Sequence, residues 1–129
     1  MDDELIGDAN DNKLVGGKGN DTLVGGDGKD KLLGGNNADR LIGGAANDQL
    51  TGNGGNDVFV FDGDSKNDTI KDFQQGSDTM EIADHAGGFA SLVISDDNGD
   101  RLIEHDGGSI RLEGQAGLAL TAGDFDFVA

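Results

Sequence analysis

A strict nine-residue period governs this chain. From Gly16 to Leu33 it reads GGKGNDTLV GGDGKDKLL, one sentence written twice. Glycine holds positions one, two and four, aspartate position six and leucine position eight. The same frame continues outward. Position eight is Leu5, Leu14, Leu23, Leu32, Leu41, Leu50 and Phe59, and position six is Asp3, Asn12, Asp21, Asp30, Asp39, Asp48 and Asp57. Two residue classes held in register over seven units outrank any local propensity. The chain has 24 glycines and no proline, a composition that alone would suit a flexible linker, but a linker keeps no register.

Within one unit, Gly25–Leu33, the first six residues are turn formers: glycine reaches positive φ without steric cost and aspartate bonds to its own local backbone. The last three are too few for a helical turn and enough for a short strand, in which position eight points opposite to positions seven and nine. Repeated turn–strand units predict an all-β, right-handed parallel β-roll of 18-residue circuits. Units alternate between two faces, so Leu5, Leu23, Leu41 and Phe59 line one sheet and Leu14, Leu32 and Leu50 the other. Position nine is apolar at Ile6, Val15, Val24, Leu33, Ile42 and Val60. These residues should point outward, either as strand formers or, along Ile6, Val24, Ile42 and Val60, as a stripe that another segment covers.

Such a core is thin. One large side chain per unit contributes about 1.5–3 kcal/mol, against about 1 kcal/mol of backbone entropy for each of nine residues. Stacked turns also bring carboxylates together. There are 22 Asp and only 4 Glu in a formal charge of −17, and short acids beside Gly and Asn suit hard-cation sites better than a merely solvated surface. A divalent cation between turns would remove the repulsion and tie circuits together. Calcium, with six to eight oxygen ligands in flexible geometry, fits better than magnesium. Zinc is disfavoured by the absence of cysteine and by two isolated histidines. The charge disfavours nucleic acid as a partner. No apolar run reaches the length of a membrane span, and MDDELIGDAN is no export leader. Asp3 and Leu5 already hold positions six and eight, so the chain starts in mid-repeat; we expect it to be the C-terminal piece of a larger protein.

The unit resembles the RTX (repeats-in-toxin) nonapeptide GGxGxDxUx, where U is large and apolar. That resemblance implies a calcium β-roll in which one ion sits between a turn and the turn one circuit later. The first turn gives carbonyls from positions one and three, the second from positions two and four, and both position-six acids take part. On this chain Gly16, Lys18 and Asp21 would face Gly35, Asn37 and Asp39. Gly25, Asp27 and Asp30 would face Gly44, Ala46 and Asp48. Gly34, Asn36 and Asp39 would face Asn53, Gly55 and Asp57. A further site would join Gly7, Ala9 and Asn12 to Gly26, Gly28 and Asp30, weakened by Asn12 in place of an acid. Asp3 would form an edge site with Asp21. About four to six calcium ions are implied.

Residues 1–60 therefore form the repeats. Residues 61–129 are expected to hold degenerate repeats and a β-rich cap within the same structural domain. Asp68 and Ile70 keep positions six and eight in GDSKNDTIK (63–71), and SDTMEI (77–82) and GDRLI (99–103) keep the same beat. GGSIRLEG (107–114) reads as a strand with Ile110 and Leu112 inward. Short helical turns are expected at 84–91 and 118–123, and longer, partly antiparallel strands should close the roll. FVF (59–61), DTIKDF (68–73) and LTAGDFDFVA (120–129) resemble the C-terminal ends of serralysin-type proteases and related exported proteins. The ending Asp126-Phe127-Val128-Ala129 then implies a C-terminal signal for a type I, ABC-transporter secretion apparatus and a secreted, extracellular protein.

No catalytic site is legible. His85 and His105 lie outside any HExxH, no GxSxG occurs, and Gly52-Asn53-Gly54-Gly55 lacks the GK[ST] of a phosphate loop. Asp97, Asp100, Glu104 and Asp106 read as turn and calcium-edge residues. The expected role is a non-catalytic module that folds on calcium outside the cell, behind an upstream domain such as a protease, lipase or alginate epimerase. The alternative is the terminal, calcium-stiffened module of an adhesin or surface protein.

Overall fold

The structure is a computed structural model and describes residues 1–63, 65–83 and 87–128. After the short Glu4–Ile6 (β1), the next five repeat strands begin at position seven and run on through positions one and two of the next unit. This gives Lys13–Gly17 (β2), Thr22–Gly26 (β3), Lys31–Gly35 (β4), Arg40–Gly44 (β5) and Gln49–Asn53 (β6), followed by Val58–Phe61 (β7) and Lys66–Ile70 (β8). The backbone turns where position two takes a left-handed φ, as at Gly35 (114°) and Gly44 (94°).

Alternate strands go to alternate sheets. One sheet runs β1-β3-β5-β7, then Thr79–Ala83 (β9) and Phe125–Val128 (β13). The other runs β2-β4-β6-β8, then Gly108–Leu112 (β12), Asp100–His105 (β11) and Val93–Asp97 (β10). All pairing among the repeats is parallel and in the expected register. Leu5 lies beside Leu23, Leu23 beside Leu41 and Leu41 beside Phe59; Leu14 lies beside Leu32 and Leu32 beside Leu50. Both rows continue past the repeats, to Met80 and Phe125 on one side and to Ile70 and Leu112 on the other. The row residues from Leu23 onward are buried, whereas Leu5 and Leu14 at the open end are only partly so. Position nine faces outward: Ile6 and Val15 are exposed, and Val24, Ile42 and Val60 are half-buried.

Phe61, inserted after the last regular unit, extends β7 by one inward step. Its side chain is buried with Phe59, and it pairs with Ile82. GDSKNDTIK and SDTMEI behave as degenerate units, with Ile70, Met80 and Ile82 fully buried. GDRLI does not. It lies in β11, an antiparallel hairpin strand in which Ile103, not Leu102, is buried. The hairpin is set by Asn98 (φ 52°) and Gly99 (φ 85°), two consecutive left-handed residues between β10 and β11, a turn whose twist matches paired antiparallel strands. The cap is partly antiparallel, as expected, and its antiparallel part is β10-β11-β12. β12 rejoins the roll parallel to β8, and β13 pairs parallel with β9. Of the expected helical turns, 3-10 turns occupy Gly88–Ser91 and Ala122–Asp124; 84–86, with His85, lie outside the described residues. Buried Asp124 accepts the Thr121 N–H (2.8 Å) and a Gln75 side-chain N–H (2.9 Å), and so seats the tail strand. In that strand Phe125 is buried and Asp126 is exposed, while Ala129 lies outside the described residues. No helix among the described residues is long and apolar enough to cross a membrane.

Candidate metal centres

Each position-six aspartate uses one oxygen to hold the circuit before it. Asp21 Oδ1 accepts the Asp3 N–H (2.7 Å), Asp39 Oδ1 the Asp21 N–H (2.8 Å), Asp57 Oδ1 the Asp39 N–H (3.0 Å) and Asp78 Oδ1 the Asp57 N–H (3.0 Å). On the opposite turns, Asp30 takes Asn12 (2.7 Å), Asp48 takes Asp30 (2.8 Å) and Asp68 takes Asp48 (2.8 Å). The spacing is 18 residues in the repeats and stretches to 20 and 21 at Asp68 and Asp78 without breaking either ladder.

The other oxygen is the anomaly. Oδ2 of Asp21, Asp30, Asp39, Asp48 and Asp57 is buried with no hydrogen-bond partner, although these side chains are at most 3% exposed. An ionised oxygen in that position carries its full desolvation cost. Burial pushes the carboxyls of Asp30 and Asp39 above the usual range and those of Asp48 and Asp57 up to about 7; the accepted N–H opposes this and neighbouring carboxylates add to it, those of Asp11, Asp8 and Asp27 at Asp30 and ladder carboxylates at the others. Each orphan oxygen sits over the position-one glycine of its own unit. A Cβ on Gly16 would lie 2.5 Å from Asp21 Oδ2 and 2.6 Å from the Gly34 carbonyl, and one on Gly25 would meet Asp30 Oδ2 and the Gly43 carbonyl likewise. A carboxylate oxygen and the carbonyl of the next circuit thus converge on a space that only glycine leaves open. Oxygens without protons between them suit a hard cation. Among the described residues no group of three or more His, Cys, Asp or Glu converges, so backbone carbonyls would complete any such site.

The expected ligands fall on the turns in this way. The position-four residues Gly28, Asn37, Ala46 and Gly55 all have left-handed φ, at 90°, 75°, 74° and 113°, so Asn37 and Ala46 hold the glycine conformation. Gly26 and Gly35 at position two are in register, but their carbonyls already accept the N–H of Ala45 (3.1 Å) and Gly54 (3.1 Å), each leaving one lone pair. Lys18, Asp27 and Asn36 at position three are exposed on the turn, as is Ala9, and Asn53 holds a left-handed φ of 66°. Gly7 meets the Gly25 carbonyl and Asn12 Oδ1, but that oxygen already accepts the Asp8 N–H (2.8 Å), so the Asn12 turn is closed by its own bonds. Gly44 packs over the Gly26 carbonyl.

Several contacts were missed in the sequence. Position-five side chains form a second ladder of opposite sense: Asp2 accepts from Asn20 (2.8 Å), Asp11 from Lys29 (2.8 Å), Asn20 from Ala38 (3.0 Å) and Asn47 from Asn67 (3.0 Å). Its signal is the recurrence of Asp or Asn at position five. Asp72 takes both the Gly52 N–H (2.9 Å) and the Asn53 N–H (2.7 Å), and Asp78 fills its second oxygen with the Gln74 N–H (2.8 Å). Asp97 and Asp100, read as calcium-edge residues, instead grip the Arg111 guanidinium at 2.7 and 3.0 Å. The N–H of Gly114 and the guanidinium of Arg111 hold the Asp100 carboxyl below its ordinary range.

The description of the RTX calcium-binding nonapeptide repeat (4 copies) matches residues 1–32 and again 33–70. The chain belongs to the RTX repeat family. This RTX module superposes on the crystal structure of the extracellular lipase LipA from Serratia marcescens with a TM-score of 0.77 and 20% identity, over 97% of this chain and 21% of the lipase. It therefore spans about a fifth of that protein, and the likeness shows the shared fold. The solution structure of the AlgE6R2 subunit from the Azotobacter vinelandii mannuronan C5-epimerase matches with a TM-score of 0.72 and 28% identity, over 95% of this chain and 91% of that one. No curated protein sequence matches.

Proposed function

We propose that this RTX module is the non-catalytic, calcium-folding C-terminal part of a larger exported protein. The supporting observation is the set of five buried, unpartnered Oδ2 atoms, one in each of five successive turns. The Asp21/Asp39, Asp30/Asp48 and Asp39/Asp57 turns would hold calcium, with carbonyls of the glycine-rich loops completing the oxygen set. Bound calcium supplies the positive charge that offsets the buried carboxylates. At a hundredfold excess over Kd, each site contributes about 2.7 kcal/mol, on the scale a thin core lacks. Where calcium is scarce, the acidic chain stays extended and suited to a type I export channel; where it is abundant, the chain winds up, disfavouring return and assisting the upstream domain.

The test is far-UV circular dichroism of chelator-treated protein during calcium titration, with magnesium as control. A cooperative rise of β signal with calcium alone is expected. A β spectrum indifferent to chelator would refute calcium-driven folding.

A further inference from the structure

Side-chain bonds between stacked turns are not spread evenly along the roll. Each turn lies on the turn one circuit earlier, and the position-five ladder works only where the earlier turn carries an acceptor. At the open end it does: Asp2 accepts from Asn20 (2.8 Å), Asp11 from Lys29 (2.8 Å) and Asn20 from Ala38 (3.0 Å). Asn37 Oδ1 adds a bond from the Gly19 N–H (3.3 Å). Towards the cap it does again. Asn47 accepts from Asn67 (3.0 Å), and Asp72 holds the Gly52 and Asn53 amides (2.9 and 2.7 Å). The two turn pairs between these ends are different. Turn 43–48 lies on turn 25–30, where position five is Lys29, whose ammonium has no lone pair to offer the Asn47 N–H. Turn 52–57 lies on turn 34–39, where position five is Ala38, with no side-chain acceptor for the Asn56 N–H. Among the described residues, the side-chain bonds across these two pairs are the position-six ones alone, Asp30 N–H to Asp48 (2.8 Å) and Asp39 N–H to Asp57 (3.0 Å). The backbone bonds agree: Ala45 N–H to Gly26 and Gly54 N–H to Gly35 measure 3.1 Å, against 2.8 Å for the equivalent Asn36 N–H to Gly17 outside the two pairs. The two gaps are consecutive half-circuits. Together they form one seam around the roll, between residues 1–42 and the residues from 43 onward.

We propose that calcium opens and closes this seam: ions at the Asp30/Asp48 and Asp39/Asp57 turns decide whether residues 1–42 stay wound on the cap-side body. The inference rests on the calcium reading above and adds to it which turns respond. Every other turn pair has at least one side-chain bond besides that of its position-six acid. At the seam the acid stands alone, and Oδ2 of both Asp48 and Asp57 is buried without a partner. An unneutralised buried carboxylate costs more than one hydrogen bond returns. A seam without its ions therefore keeps strand pairing and little else. As calcium falls, the circuits beyond the seam come free together, while the cap-side circuits stay wound. The stack then has two cooperative units rather than one.

The test is amide hydrogen exchange on the full chain, read by peptide mass spectrometry, as calcium is titrated into chelator-treated protein. Below saturation, residues 1–42 should exchange as one group and strands β6 to β9 more slowly as another, with the boundary between Ile42 and Gly43. Lys29→Asn combined with Ala38→Asn gives the seam the acceptor that Asn20 and Asn47 supply elsewhere. Each restored bond should slow exchange of the 1–42 group about fivefold and move its calcium midpoint towards that of the cap side. Lys13→Asn removes the same charge from the same side of the seam, on the exposed face of β2 and outside the ladder, and should leave both groups as they are. A single exchange group in a chain whose dichroism answers calcium overturns the seam, as does a boundary elsewhere or a wild-type pattern in the double variant. A chelator-insensitive spectrum overturns the calcium reading and the gating with it, and the dichroism alone tells that outcome from the others.

Discussion

Ala46 is the residue at which the repeat departs furthest from its own rule. It holds φ 74° where three other units have glycine. An L-residue there costs roughly 1–2 kcal/mol, and glycine returns part of that as unfolded-chain entropy. Ala46→Gly should therefore stabilise the calcium-loaded roll by about 0.5–1 kcal/mol, read as a higher urea midpoint at constant slope; a lower midpoint would show that the turn is relaxed around alanine. Gly16→Ala should do the reverse, because its Cβ meets both Asp21 Oδ2 and the Gly34 carbonyl; calcium stoichiometry by equilibrium dialysis should fall. The buried acids also fix a pH dependence. Asp48 and Asp57 titrate near 7 and Asp68 near 8 in the fold, raised chiefly by burial, against about 3.9 in an unfolded chain. Between those limits the cation-free fold holds protons that the unfolded chain has released, so its stability is fully present below about pH 4 and is lost as pH rises through 7 to 8. In chelator, where the chain is extended at neutral pH, β signal in the dichroism should thus rise on acidification. A flat profile across that window would contradict it.

At the scale of the element, strands and turns had unequal visibility in the sequence. The rows Leu5-Leu23-Leu41-Phe59 and Leu14-Leu32-Leu50 were readable because position eight repeats and a one-residue slip would turn every leucine to solvent. The position-six acids were readable for the same reason. The family resemblance, not the spacing, supplied the carbonyl ligands, and the engaged oxygen of Asn12 depends on hydrogen bonds that no period encodes. The cap was read less well, since circuits of 20 and 21 residues erase the count and the β10-β11 hairpin is decided by two residues, Asn98 and Gly99. Asp72 was invisible because its partners are backbone groups a whole circuit away. Asp72→Ala leaves the amides of Gly52 and Asn53 without their acceptor and should cost about 1–3 kcal/mol, with faster hydrogen exchange at those two amides. Unchanged exchange would show that another group caps that turn.

Taken whole, the molecule is a stack in which each circuit touches chiefly its neighbours, and such stacks need a closed end. The cap supplies one by continuing both core rows, through Met80 and Phe125 and through Ile70 and Leu112. A chain ending at Val60 should accordingly stay unfolded in calcium that folds the full chain, as followed by dichroism; a folded truncation would show that the repeats suffice. The ladder of position-six acids gives this stack a sense of rotation. A position-six acid serves the amide of the circuit before it, so that amide is not satisfied until the C-terminal neighbour is in place. The roll is like thread wound on a bobbin whose fixed end is the cap. A proteolytic nick near Met1 would let one loop of thread slip, whereas a nick between Asp68 and Asp78 would free the whole spool.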